Sequence, residues 1–180
     1  EASVLRRVRS RKVSRAVPQA AYAPPAPLPA PAVPPVVAGA GPAGLFAALV
    51  MARAGQRPIL LERGRPVEQR KSDVERFWAT GELDLTSNVQ FGEGGAGAFS
   101  DGKLNTGTKD LRHRFILETL VSCGAPEDIL IDAKPHVGTD FLHIALVNLR
   151  RRLLELGADI RFESRLADLD IRDGALAGIT

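Results

Sequence analysis

The sequence has one cysteine, Cys123, in 180 residues. A disulfide framework, a Cys-x-x-Cys redox pair and a cysteine-based metal site within the chain are thereby excluded. Cys123 follows an apolar helical stretch and reads as a buried, inert thiol. No metal site is expected. No apolar run approaches the length of a membrane span, so no membrane partner is expected. His113, His136 and His143 are the only histidines. His143 falls inside an amphipathic helix pattern and reads as structural. His136 lies in a loop, where it would face a substrate pocket or simply solvent. No carboxylate pair and no nucleophile-base spacing stands out, so no catalytic acid or base is assigned. A basic excess is also missing where it would matter. Residues 1–35 hold six Lys/Arg against Glu1, a net +5; the whole chain is +3, so the remainder is −2. Nothing there calls for nucleic acid.

What is present divides the chain in two. Residues 1–35 form a basic, then proline-rich segment with no core of its own. Residues 18–35 contain eight prolines and six alanines, the composition of a semi-rigid polyproline II linker, expected to be disordered as a domain. Its Arg-rich, acid-poor start has the flavour of a transit peptide. The proline tract that follows directly favours a fragment or a processed start. Residues 36–180 carry ordinary globular composition, with 44% hydrophobic and 25% charged residues over the chain.

The most informative stretch opens this second part. Val36-Val37-Ala38 runs into Gly39-Ala40-Gly41-Pro42-Ala43-Gly44, a Gly-x-Gly-x-x-Gly. A helix is predicted from Pro42 to Ala54, with Leu45, Ala48, Leu49 and Ala52 on one face and Gly55 as its stop. A second strand, Pro58 to Leu61, ends in Glu62, eighteen residues past Gly44. Together these make a βαβ dinucleotide-binding fingerprint. Gly39 allows the tight turn out of the strand. Gly41 has no Cβ to keep a pyrophosphate from the backbone, and Gly44 allows close helix–strand packing. The helix start, with Pro42 and Ala43 in its first turn, offers free amides and a positive dipole end to the phosphates. Glu62 would accept hydrogen bonds from both hydroxyls of an adenosine ribose and would repel a 2′-phosphate, which disfavours NADP at this site.

Beyond Glu62 the pattern is irregular. A charged helix is predicted from Arg65 to Trp78, anchored by Val67, Val74, Phe77 and Trp78. Residues 81–110 read as loop. A long loop within a compact domain is usually functional. It carries a second glycine cluster, Gly94, Gly95 and Gly97, followed by Ser100, Asp101 and Lys103. Uncovered amides there suit a flat ring or a diphosphate; a flexible surface loop is the competing reading. A short helix is predicted at Arg112–Val121. Another, at Phe141–Leu156, is capped by Thr139 or Asp140, with Leu142, Ala145, Leu146, Leu149, Leu153 and Leu156 on one stripe. Arg150, Arg151 and Arg152 read as its solvated face. Ile160-Arg161-Phe162 reads as a strand. Leu166–Ile171 and Ala175–Ile179 flank Asp173-Gly174, a type I′ hairpin turn.

Four stretches carry a family resemblance: Pro35 to Gly64, Asn88 to Gly97, Phe99 to Leu104, and Ala133 to Asp140. The chain resembles the bacterial FAD-dependent dehydrogenases known as NAD(FAD)-utilizing dehydrogenases. The resemblance implies an α/β, Rossmann-like FAD/NAD(P)-binding domain of the glutathione-reductase type. Here that means a βαβ unit, a helical insert and a β-hairpin or meander. It implies FAD as cofactor, a small-molecule redox substrate, NAD(P)H as electron donor and a cytoplasmic location. Its site residues fall on Gly39, Gly41, Pro42, Ala43, Gly44, Glu62 and Arg63 for the diphosphate and ribose. Gly94, Gly95, Gly97, Ser100 and Lys103 would lie beside the flavin end, and Leu166 where the backbone meets adenine. Since the chain starts on Glu1 and stops at Thr180 inside a predicted strand, a partial FAD site in a segment of a longer flavoprotein is expected. An NAD-binding dehydrogenase and a non-enzymatic relic of a flavoprotein are the alternatives.

Overall fold

The computed structural model describes residues 21–100, 102–104, 110–131 and 136–180. The basic segment at the start, Asp101 and the Lys134–Pro135 pair lie outside these residues.

Three short strands, β1 (Val36–Ala38), β2 (Ile59–Leu61) and β3 (Asp159–Arg161), form a parallel sheet in the order β1-β2-β3. Val37 pairs with Leu60, and Leu60 in turn with Ile160. Leu60 is therefore central and is fully buried. Parallel strands need crossovers, and the first is helix α1 (Pro42–Arg53). Its buried residues are Leu45, Ala48, Leu49 and Ala52, the predicted face. Gly55, at φ +80, ends it in the left-handed conformation expected of a helix stop.

The second crossover is long and mostly helical. It holds α2 (Val67–Thr80), a 3-10 turn at Ala96–Phe99, α3 (Arg112–Ser122), a second 3-10 turn at Glu127–Leu130 and α4 (Thr139–Glu155). α4 lays Ala145, Leu146, Leu149 and Leu153 into the same core as Leu45, Leu49 and Leu60. Each leucine so buried contributes about 1.5–3 kcal/mol. Cys123 belongs to this core, and burial pushes its thiol up, as an inert buried thiol requires. The chain closes with a hairpin of β4 (Leu169–Arg172) and β5 (Ala175–Ile179). Asp173 and Gly174 both have positive φ, +51 and +76, as a type I′ turn demands.

Several expectations change. α2 starts at Val67, behind Pro66, and not at Arg65. Its buried face is Val67, Arg70, Asp73 and Val74, whereas Trp78 is 63% exposed and anchors nothing. Neither Thr139 nor Asp140 caps α4. Gly138, at φ +77, occupies the cap position, and both residues lie in the first helical turn. Arg150 is not on a solvated face but is paired with Glu68 and Glu93. β3 ends one residue earlier than predicted, and β4 begins at Leu169 instead of Leu166.

Residues 21–35 contain neither helix nor strand. They run over the end of α1: Leu28 donates its amide to the Ala54 carbonyl at 3.0 Å, and Tyr22 packs edge-on against Phe115 with ring centres 5.2 Å apart. Among the described residues, no helix is long and apolar enough to cross a membrane.

Candidate functional site

The first glycine loop connects β1 to α1. Gly39 has φ +98, and its amide donates to the Leu61 carbonyl at 2.7 Å, tying the turn to β2. Gly41 is extended (φ −67, ψ 176) and stands at the N-cap without a side-chain cap. Pro42 follows in the first turn, which holds no acidic residue. The amides of Ala43 and Gly44 have no acceptor within the helix. The positive end of α1 is thus left uncovered.

The three glycines differ in what they avoid. A Cβ on Gly44 would sit 1.8 Å from the Gly39 carbonyl oxygen, so this residue serves packing. A Cβ on Gly41 would meet nothing within 4 Å. The space its missing side chain leaves is open ground at the helix start, which suits a diphosphate.

Glu62 has a role within the fold itself. It is buried, and its carboxylate joins the two strand ends. Oε2 accepts from the Ala40 amide and Oε1 from the Gly64 amide, both at 2.7 Å. Next to it, Arg63 lies 3.8 Å from the ring centre of Phe91 and donates to the Leu85 carbonyl at 2.8 Å.

The second glycine cluster is brought against the first loop. Gly94 (φ +81) donates its amide to the Ala40 carbonyl at 2.9 Å. A Cβ on Gly95 would stand 3.1 Å from Pro42 Cδ. Ala40 is thereby held from both sides, by Glu62 at its amide and by Gly94 at its carbonyl. The other predicted residues are placed by different contacts. Gly97 is exposed, and the Ser100 hydroxyl donates back to its carbonyl at 3.1 Å. Lys103 forms an isolated antiparallel bridge with His136. Leu166 is half-buried beyond β3.

Of the histidines, His143 is structural, as expected. Its Nε2 lies 2.7 Å from the Ala98 carbonyl and its ring packs on Phe99. His136 lines a cavity of about 510 Å³ together with Ser100, Thr139 and Phe141.

Sequence reasoning missed a buried charged layer behind the second cluster. Arg70 is fully buried, and its guanidinium donates to four main-chain carbonyls, those of Asn88, Val89, Glu93 and Gly95, at 2.7–2.9 Å. Burial lowers its pKa to about 10. Asp73 accepts from Arg65, Arg76 and the Ser87 hydroxyl. Glu93 is fully buried too. Its Oε2 accepts from the Val67 amide at 2.9 Å and pairs with Arg150 at 2.6 Å, while Oε1 has no partner. A signal did exist: Arg70 and Asp73 share the helix stripe of Val67 and Val74, where a solvated charge has no place.

Burial pushes Glu93 up to about 7, against the pull of the Val67 amide and Arg150. An acid whose folded pKa exceeds its unfolded value holds more protons in the folded state between the two. Its contribution to stability is full below about pH 4.5 and is lost as pH rises through about 7, on the order of 3 kcal/mol. Glu68 beside Arg150 and Asp84 beside the Thr86 amide are held below their ordinary values and titrate below this window. The melting temperature is therefore expected to fall from pH 5 to pH 7.5, and Glu93→Gln is expected to flatten that slope. Parallel slopes in the two proteins would remove the assignment to Glu93.

Residues 35–104 match the family model of the FAD binding domain. The matched stretch holds both glycine loops, Glu62 and Arg70. The chain is also similar to an uncharacterized protein of Clostridium beijerinckii, with 52% identity over 145 residues, covering 81% of this chain and 27% of that protein. FAD is thus the cofactor indicated for this segment.

Proposed function

We propose that this segment binds the diphosphate and adenosine part of FAD for a dehydrogenase that oxidises or reduces a small molecule, with NAD(P)H as electron donor, in the bacterial cytoplasm. The observation that carries the reading is the junction of the two glycine loops. Gly94 is bonded to Ala40, Gly95 abuts Pro42, and between them lies an uncapped helix start. The residues fit FAD in charge and in shape: open amides for an anion, and no side chain at Gly41 to fill the place. Bound FAD would supply the redox chemistry, and this chain's part is to bind and orient it. Glu62 retains unused lone pairs on both oxygens for the ribose hydroxyls. Gly39, Gly41, Pro42, Ala43 and Gly44 face the diphosphate. Gly97, Ser100 and Lys103 continue toward the flavin, and Leu166 toward the adenine.

Gly41→Val separates binding from folding. Its backbone is extended, which valine adopts readily, and its Cβ meets no protein atom within 4 Å. Stability is expected to stay within about 0.5 kcal/mol of wild type. FAD affinity is expected to fall by about tenfold or more, because the side chain occupies the diphosphate's place. Flavin absorbance after purification and a urea titration measure the two. A variant that keeps its normal yellow colour would show that the diphosphate lies elsewhere.

A further inference from the structure

We infer that Arg70 is a positioning residue for FAD, whose buried guanidinium shapes the 88–95 loop into the second wall of the diphosphate cradle. The inference rests on the reading above, that the diphosphate lies at Gly41.

A guanidinium with no exposed surface is costly unless its donors are used. Those of Arg70 go to main-chain carbonyls of a single loop, from Asn88 to Gly95. None of the hydrogen bonds described for it goes to a carboxylate. An apolar side chain of similar volume would leave those four carbonyls without their donors. The arrangement does something an apolar residue cannot. It gathers four carbonyl oxygens onto one side of the loop, away from any anion on the other side. It also places a positive charge behind the loop, in a region of low dielectric where charge acts over distance.

Neighbouring residues are fitted to this arrangement. The Phe99 ring centre lies 4.7 Å from the guanidinium carbon. Gly92, at φ +113, leaves room for the stem, since a Cβ there would stand 2.6 Å from Arg70 Cδ. The loop so held delivers Gly94 to the Ala40 carbonyl and Gly95 to Pro42, the two contacts that join it to the first glycine loop. The path from Arg70 to the diphosphate therefore crosses one loop.

Arg70→Lys tests the inference in the purified protein. Lysine keeps the charge, but its single nitrogen cannot span four carbonyls. The FAD dissociation constant is expected to rise about tenfold or more, while that of adenosine, which carries no phosphate and lies on the Glu62 side, changes by less than about twofold. Hydrogen exchange should quicken at the 88–95 amides and stay slow in α1 and α4. Unchanged FAD affinity would overturn the inference, and so would equal losses for FAD and adenosine, which mark general damage. If Arg70→Lys does not fold, Gly92→Ala takes the same readings, because its Cβ would stand 2.6 Å from Arg70 Cδ and 3.0 Å from Nε and so displaces the guanidinium from the loop carbonyls. A selective loss of FAD supports the inference; loss of both ligands or of neither overturns it. Gly41→Val, run alongside, tells which idea failed. Normal FAD binding there removes the diphosphate site itself, and not merely the role of Arg70.

Discussion

Gly44→Ala is expected to cost about 3 kcal/mol or more of stability and to abolish FAD binding, although it adds one methyl group. The added Cβ would lie 1.8 Å from the Gly39 carbonyl oxygen and 3.0 Å from its carbon, and those are main-chain atoms that no rotamer change can move. Relief requires either the turn or the helix to shift. The turn is held, because the Gly39 amide donates to Leu61 and its φ of +98 suits glycine alone. The helix is held as well, since Leu45 and Leu49 beside Gly44 are buried in the central core. The clash therefore falls on the junction that presents Gly41 and the first-turn amides. A urea titration should show a lower midpoint at an unchanged slope, with no flavin retained. A wild-type midpoint would mean that this close approach is not rigid. The comparison with Gly41→Val is pointed. Two glycines three residues apart are expected to fail differently, one by losing the fold of the loop and the other by losing only the ligand.

The same contrast explains what was legible in the sequence. The β1–α1–β2 unit was readable because its determinants are local. Glycine spacing, a 3.6-residue apolar period and a strand ending in an acid all lie within 27 residues, from Val36 to Glu62. The Asp173-Gly174 turn was readable for the same reason, as both residues need positive φ. The strand at Ile160 was visible, but its pairing with β2 was not, because nothing in its neighbourhood encodes a partner about a hundred residues away. Hydropathy misled where a charge is buried. Hydropathy makes Trp78 an anchor and gives Arg70 no inward place, yet the helix turns Arg70 inward to four carbonyls and leaves Trp78 in solvent. Arg150 was lost in a run of three arginines. Only its helical phase, which sets it opposite Glu68 and Glu93, tells it apart from Arg151. The glycine loops were each legible alone; their meeting at Ala40 was not.

Glu62→Ala is expected to cost more than the ribose contact alone would suggest, since the carboxylate serves the fold before any ligand arrives. Removing it leaves the Ala40 and Gly64 amides without their acceptors in a buried setting. Hydrogen bonds to a charged group contribute about 1.5–3 kcal/mol each, so a loss of about 3–6 kcal/mol is expected without FAD present. Glu62→Gln is the sharper test. An amide has one acceptor oxygen, so either the Ala40 or the Gly64 N–H would face an NH₂ group, and about half that loss should remain. FAD affinity should fall by a further 1–3 kcal/mol, roughly, from the weaker bonds to ribose. Apo stability and FAD affinity are separate measurements, and the two roles stand or fall separately. A Glu62→Gln protein with wild-type stability would deny the strut between the strand ends. One with lowered stability but unchanged FAD affinity would keep the strut and deny the ribose contact. Because the carboxylate holds Ala40 by its amide while Gly94 holds it by its carbonyl, the first of these losses should also loosen the second glycine loop. That places the acid at the end of β2 upstream of both walls of the site.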